Sequence, residues 1–276
     1  MPIITLTTDF GIKDHFVSAV KGAIYSELPE AKIVDVSHEI SPFHSTEAAY
    51  VIQNAYKNFP KGSIHVIGVD SELTPENKHI AVLLDGHYFV CADNGIIHLI
   101  ASQFKPEKIV EINIQTTTSN FPVLDVFVPV ACHISRGGML DVVGKSISDI
   151  KSLQGMSPIV NIGGAQIVGA VIYIDNYGNV ITNITQKLFE DTRKGRNYTI
   201  NARSAIFRKV FNRYSDAINF TLEKNKREED GKKIAIFNSS GYLELAIYKS
   251  NPKTVGGAAS LFGLDYRDSV SITFDQ

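Results

Sequence analysis

Thiols are scarce in this sequence. Of 276 residues only Cys91 and Cys132 carry one, far apart and in no paired motif. That spacing argues against a disulfide framework and against a zinc site. No charge of one sign prevails either, because 27 Lys and Arg stand against 29 Asp and Glu. The basic excess or stripe of a nucleic-acid-binding surface is therefore missing. No window approaches the roughly 18 uncharged apolar residues of a membrane-spanning helix. The opening MPIITLTTDFG has no basic n-region, apolar h-region or small-residue cleavage site. The usual chemical motifs are absent too: there is no G-x-G-x-x-G after the first strand, no P-loop and no G-x-S-x-G. His38-Glu39 with His44 has the wrong spacing for H-E-x-x-H. The expectation is a soluble, cytoplasmic protein with no metal, no nucleic-acid partner and no membrane partner. Its ligand is not expected to be a polyphosphate.

What is present suits a globular chain of about two domains, with 44% hydrophobic and 20% charged residues. Residues 3–7, 32–36, 64–69, 80–84 and 87–91 read as strands. Residues 14–27, 46–58 and 126–136 have helical spacing, the last entered through Pro129 and closed by Gly137-Gly138. This alternation predicts an α/β N-terminal domain, 1–157, with a largely parallel sheet and helices on both faces. Beyond about residue 157 the pattern changes. Runs 168–174, 198–200, 205–210, 218–222, 234–237, 242–247 and 270–274 are short and strand-like, with polar or Gly-containing turns between them. They predict an all-β, barrel-like C-terminal domain, 165–276. The boundary falls in 154–164, a stretch containing Gly, Ser and Pro.

Ligands of open α/β sheets bind beyond the carboxyl ends of the strands. Asp9, Asp70 and Asp93 each follow an apolar run and so belong at that rim, as ligand groups or as turn and capping residues. An Asp after the first strand suits a ribose diol, since one carboxylate accepts two hydroxyl hydrogen bonds. In the second half, Asp175-Asn176-Tyr177-Gly178-Asn179 joins amides, a carboxylate and an aromatic ring. That set suits a heteroaromatic base, or equally a hairpin turn bonding its own backbone. Asn238-Ser239-Ser240-Gly241-Tyr242 suits a zwitterionic ligand such as an amino acid, or another turn.

Taken together these segments resemble a known family. T-T-D-F-G with Asp14, the run Ile33-Val34-Asp35-Val36-Ser37-His38-Glu39-Ile40, and the Asp93-Asn94-Gly95 turn match it in order. So do D-V-F-V-P-V-A from Asp125, D-N-Y-G-N-V-I-T-N from Asp175 and N-S-S-G-Y-L-E from Asn238. The sequence is similar to the S-adenosylmethionine (SAM) hydroxide adenosyltransferases, relatives of the SAM-dependent fluorinase and chlorinase, over nearly its whole length. The resemblance implies a homotrimer in which each SAM lies between the N-terminal domain of one subunit and the C-terminal domain of a neighbour. It also implies attack of water, hydroxide or halide on C5′ of SAM, with release of methionine. By motif position Asp9 would bind the ribose hydroxyls, and Phe43 and Phe121 would line the ribose and sulfonium region. Asp175, Tyr177 and Asn179 would serve the methionine and adenine ends, and Ser239 and Ser240 the methionine amino and carboxylate groups. SAM would be substrate or ligand, and no separate cofactor is implied.

The reacting groups depart from the family pattern, which supplies an Asp, an Arg and a His to activate water. Asp70 is kept. Asn77 stands at the Arg position, with Lys78 one residue away as an alternative cation. Pro122 stands at the His position, and Val123 where a small residue can turn its N–H to a halide. Glu72, Glu76 and His79 are the local substitutes for the missing groups. The sequence thus reads as a SAM hydrolase giving adenosine and L-methionine, with Asp70 and Asn77 as the candidate catalytic positions. A non-catalytic trimeric protein that binds SAM or adenosine is the alternative, and a halogenase the more distant one.

Overall fold

A computed structural model describes residues 2–101, 104–114, 119–153 and 156–275. The chain divides into two compact units, Met1–Gly155 and Met156–Gln276. Gln154 and Gly155, at the start of the expected boundary stretch, lie outside the described residues.

The first unit begins β1 (Ile3–Thr8), α1 (Phe16–Glu27), β2 (Lys32–Ser37), α2 (Ser45–Ala55), β3 (Ile64–Gly68). It continues β4 (His79–Leu84), β5 (His87–Ala92), α3 (Ile96–Ile100), β6 (Lys108–Ile112), α4 (Val128–Ser135) and β7 (Gly144–Ser146). The seven strands lie in the order β2-β1-β3-β5-β4-β6-β7. Side chains alternate between two cores, as the two-residue period of a strand requires. On β4, Ala81 enters the core under α1 and α4, while Ile80, Val82 and Leu84 enter the core under α2 and α3. Helices therefore cover both faces.

The sheet itself is mixed, which corrects the largely parallel expectation. The four strands β2, β1, β3 and β5 pair in parallel, but β4 runs antiparallel to both β5 and β6, and β7 antiparallel to β6. The cause was written in the chain: only Asp85-Gly86 separates β4 from β5, and a two-residue Asp-Gly connection makes a hairpin. Asp85 has φ 51° and Gly86 φ 70°, both left-handed as such a turn demands.

The second unit comprises β8 (Ile159–Val160), β9 (Gln166–Ile174), β10 (Val180–Thr185), α5 (Gln186–Arg193), β11 (Tyr198–Ala202), β12 (Ala205–Phe207), β13 (Val210–Phe211), β14 (Lys233–Phe237), β15 (Tyr242–Ile247), α6 (Ala258–Phe262) and β16 (Ser269–Phe274). Its sheet runs β12-β11-β16-β9-β10-β15-β14-β13, with β8 added on β9. The path curls into a nearly closed barrel. The expected single run 205–210 splits, β12 pairing with β11 and β13 with β14, so the chain crosses from one end of the path to the other. The two ends meet where Lys233 Nζ sits 5.6 Å from the ring centre of Phe207.

Two further expectations change here. The unit is not all-β, because α5 starts on a Thr185 cap, whose hydroxyl accepts from Leu188 N, and drives Phe189 into the barrel core. Residues 218–222 form no strand; Phe220 and Leu222 are exposed there, and Arg227 covers the Phe220 ring at 4.9 Å.

Buried histidines couple the first unit's stability to pH. His65 shares hydrogen bonds with Thr5 Oγ1 at 2.7 Å and His87 Nδ1 at 3.2 Å, and stacks on Phe89. Burial, with repulsion from His87, pushes the His65 pKa down to about 3; burial also lowers that of His87. A folded-state pKa below the unfolded value means that the stabilisation is whole above about pH 6.5 and is lost as pH falls toward 3. Chemical denaturation at a series of pH values is expected to show stability falling on acidification from pH 7. His65→Gln should flatten that slope, and an unchanged slope would contradict this assignment.

Candidate active site

The strand order creates the site in the first unit. From β1 the chain passes through α1 to β2 on one side, then through α2 back to β3 on the other. Between β1 and β3 the sheet therefore has a topological switch point, where diverging connections leave a crevice at the carboxyl ends. The register sets Thr8 beside Gly68, so Asp9 and Asp70 leave adjacent strands next to each other. Asp9 Oδ2 accepts hydrogen bonds from Phe43 N at 3.0 Å and, more weakly, from Asp70 N at 3.4 Å. No described residue donates to Asp9 Oδ1, which leaves one carboxylate oxygen for a ligand. Both residues that Asp9 holds are left-handed, Phe43 at φ 61° and Asp70 at φ 44°. For a side chain as bulky as Phe that conformation is rare and strained, and the Asp9 bond fixes it. Phe43 is 74% exposed, so its ring stands beside the crevice rather than in the core.

Asp70 is half-buried. Burial raises its pKa, as do the neighbouring carboxylates of Asp9 and Glu72, while Lys151 opposes the rise. A carboxylate of this kind is a better proton acceptor than an ordinary Asp. The Asp93-Asn94-Gly95 turn, which follows β5, fastens the surroundings. Asn94 Nδ2 donates to Val69 O at 2.9 Å and Asp70 O at 3.2 Å. The two oxygens of Asp93 accept from Lys151 N at 2.9 and 3.0 Å. Gly95 is left-handed at φ 94°, and a Cβ there would lie 2.5 Å from Leu153 Cβ. One turn thus holds the Asp70 backbone and the 151–153 segment together.

Asn77 lies in the loop between β3 and β4, its N–H on Thr74 Oγ1 and its Oδ1 accepting from Lys151 Nζ at 2.8 Å. Lys78, the alternative cation, instead faces Glu111 of β6 at 3.9 Å. His79 is buried against Phe127, its Nε2 donating to Ser71 O and its pKa lowered by burial, which suits a positioning role for Ser71 rather than acid–base work. Glu72 and Glu76 are exposed.

Phe121 belongs to an aromatic trio, edge-on to Phe10 at 5.5 Å and to Phe16 at 5.4 Å. Pro122 is buried and precedes a π-helical turn, Val123–Phe127, that leads into α4. Such turns recur at functional sites. Val123 is fully buried, its Cγ2 2.9 Å from where a Gly68 Cβ would stand. Its side chain therefore fills the core beneath the end of β3.

In the second unit, two turns carry the remaining motif residues. Asp175 bonds its own turn: Oδ1 accepts from Tyr177 N at 2.8 Å and Asn179 N at 2.9 Å, and Oδ2 from Asn179 Nδ2 at 3.1 Å. Asn179 is buried, whereas Tyr177 is 65% exposed and free to stack. Gly178 permits the turn, with φ 72° and a Cβ position only 2.9 Å from Gly257 Cα. Ser239 and Ser240 sit in the turn between β14 and β15, where Asn238 Oδ1 accepts from Ser240 N and Tyr242 N. Glu244, the last residue of the N-S-S-G-Y-L-E segment, was given no role from the sequence. It is 4% exposed, accepts from Tyr214 Oη at 2.6 Å, and has a pKa raised by burial and by Asp175. Its signal was a charged residue on an otherwise apolar strand. None of these motif residues lines the surface cavity around Phe207, Lys209, Phe211 and Lys233.

The chain matches the family model of the SAM hydroxide adenosyltransferase N-terminal domain over residues 4–144, and that of the C-terminal domain over residues 169–271. It belongs to the SAM hydroxide adenosyltransferase family. An (R)-S-adenosyl-L-methionine hydrolase of Methanocaldococcus jannaschii is 31% identical, over 99% of this chain and 97% of that protein. A fluorinase of an Actinoplanes species is 23% identical, over 89% of this chain and 90% of its own. The crystal structure of a conserved protein from Thermotoga maritima superposes with a TM-score of 0.83 at 26% identity, covering 98% of this chain and all of that one. Among the described residues no group of three His, Cys, Asp or Glu could hold a metal ion, and no helix is long and apolar enough to cross a membrane.

Proposed function

We propose that this protein hydrolyses SAM to adenosine and L-methionine. The observation that carries the reading is the Asp9–Asp70 pair across the β1/β3 switch point, in a family member aligned end to end with a SAM hydrolase. Asp9 Oδ1 would take the ribose hydroxyls, with Phe43 and Phe121 along the sugar and sulfonium. Asp175, Tyr177, Asn179, Ser239 and Ser240 would serve adenine and methionine, and the carboxylates of Asp175 and Glu244 suit the methionine ammonium. The reading includes a homotrimer whose neighbouring subunits supply the two sets of residues, and a cytoplasmic setting that agrees with two buried, unpaired thiols.

The reaction is an in-line substitution. A water oxygen bonds to C5′ as the C5′–S bond breaks, and its electron pair leaves with sulfur as the neutral thioether of methionine. Asp70 accepts the water proton, so adenosine and methionine form without a second reactant. Opposite charges on nucleophile side and sulfonium cancel in the transition state, and a pocket that strips water from the reacting atoms favours that. Chromatography after incubation with SAM is expected to show adenosine and methionine in equal amounts, independent of added chloride or fluoride. Native mass should be near three times 30.4 kDa. Tight SAM binding without product would replace this reading with that of a non-catalytic binder, which the losses at Asn77 and Pro122 favour. A halide-dependent 5′-halogenated product would replace it with a halogenase.

A further inference from the structure

Within the hydrolase reading, one group stands where neither sequence motif nor family pattern placed it. Lys151 lies beyond β7 and outside the matched span 4–144. We propose that Lys151 is a positioning residue of this site, its ammonium holding Asn77 and supplying beside Asp70 the positive charge that residues 71–78 do not.

Three observations support this. The first is the hydrogen bond from Lys151 Nζ to Asn77 Oδ1, which orients the amide standing at the Arg position. The second is the anchoring of the lysine backbone. Asp93 accepts its N–H with both oxygens, and the close packing of Gly95 on Leu153 holds the following residues. The same turn grips the carbonyls of Val69 and Asp70 through Asn94, so the lysine and the aspartate are fixed to one support. The third is the charge balance around Asp70. Asp9 after β1 and Glu72 in its own loop are negative, and Lys151 is the cation that acts against them. Lys78 does not compete, because it faces Glu111 on β6. An ammonium at this position favours the ionised, proton-accepting form of Asp70 and fixes the Asn77 amide, whose NH₂ can then donate to the attacking water.

The test compares wild type, Lys151→Met, Lys151→Arg and Lys78→Met for adenosine formation from SAM across pH 4–9, with melting temperatures as a check on folding. Lys151→Met keeps the backbone bond to Asp93 and loses the charge. It is expected to lower kcat roughly tenfold, to leave the KM for SAM nearly unchanged, and to move the acidic limb of kcat/KM to higher pH. That sign follows because Asp70 loses the cation opposing its protonation. Lys151→Arg should restore the limb and most of the rate, and Lys78→Met should overlay wild type. The proposal is overturned if Lys151→Met keeps the wild-type limb and kcat, or if Lys151→Arg loses as much as Lys151→Met. Absence of adenosine from wild type at every pH would instead overturn the hydrolase reading, and this inference with it.

Discussion

Asp70→Asn is expected to reduce adenosine formation by about 10²–10⁴-fold, the range for loss of a positioned general base. SAM binding should change little. The amide has the same shape, and Asn tolerates the left-handed backbone at φ 44° as well as Asp does. The fold should become slightly more stable at neutral pH. Burial and the Asp9 and Glu72 carboxylates all disfavour the ionised Asp70 side chain, so its raised folded pKa means stability is lost as pH rises through that value. An uncharged side chain removes the penalty. Activity falling while the melting temperature holds or rises is the signature of a group retained for chemistry at some cost in stability. Adenosine formation at the wild-type rate would remove Asp70 from the mechanism. A large drop in melting temperature would show that the carboxylate is structural.

Asp9→Ala is expected to harm both binding and turnover, and stability with them. The carboxylate holds Phe43 N and Asp70 N, and hydrogen bonds to a charged group contribute about 1.5–3 kcal/mol each. The Asp70 bond is long, at 3.4 Å, and falls at the weak end. Losing both should free two left-handed residues, lower the stability by a few kcal/mol, and cut kcat/KM by on the order of 10². Asp9→Asn provides the contrast. Its amide oxygen can still accept both backbone donors, so the fold should recover, while the weaker acceptor left for a ribose diol should keep KM high. Titration calorimetry with adenosine and thermal melting of the two variants separate these effects. Equal adenosine affinity in wild type and Asp9→Asn would remove the diol role.

Much of this was legible in the chain because it is local. Apolar periodicity located β1 to β5 with α1, α2 and α4, and polar residues ending those strands located Asp9, Asp70 and Asp93, whereas β6, β7 and the five-residue α3 were not read. The hairpin at Asp85-Gly86 was legible too, but strand alternation outweighed a two-residue turn and the sheet was read as largely parallel. In the second unit α5 was hidden by its short length and strongly polar face, although Thr185 and the Gly195 beyond it are ordinary helix boundaries. Lys151 could not be found from sequence at all. Its place beside Asn77 depends on the Asp93-Asn94-Gly95 turn, which brings together residues 58 positions apart. Glu244 stood in a matched segment without a role, because only the folded barrel shows that its carboxylate is buried.

If water oxygen attacks C5′ of SAM, that oxygen must end in the adenosine. Hydrolysis in H₂¹⁸O followed by mass spectrometry of the adenosine tests it most directly. Adenosine is expected to carry ¹⁸O at its 5′-oxygen, and methionine to carry none. Unlabelled adenosine, or adenine or S-adenosylhomocysteine as the sole nucleoside-derived product, would contradict it.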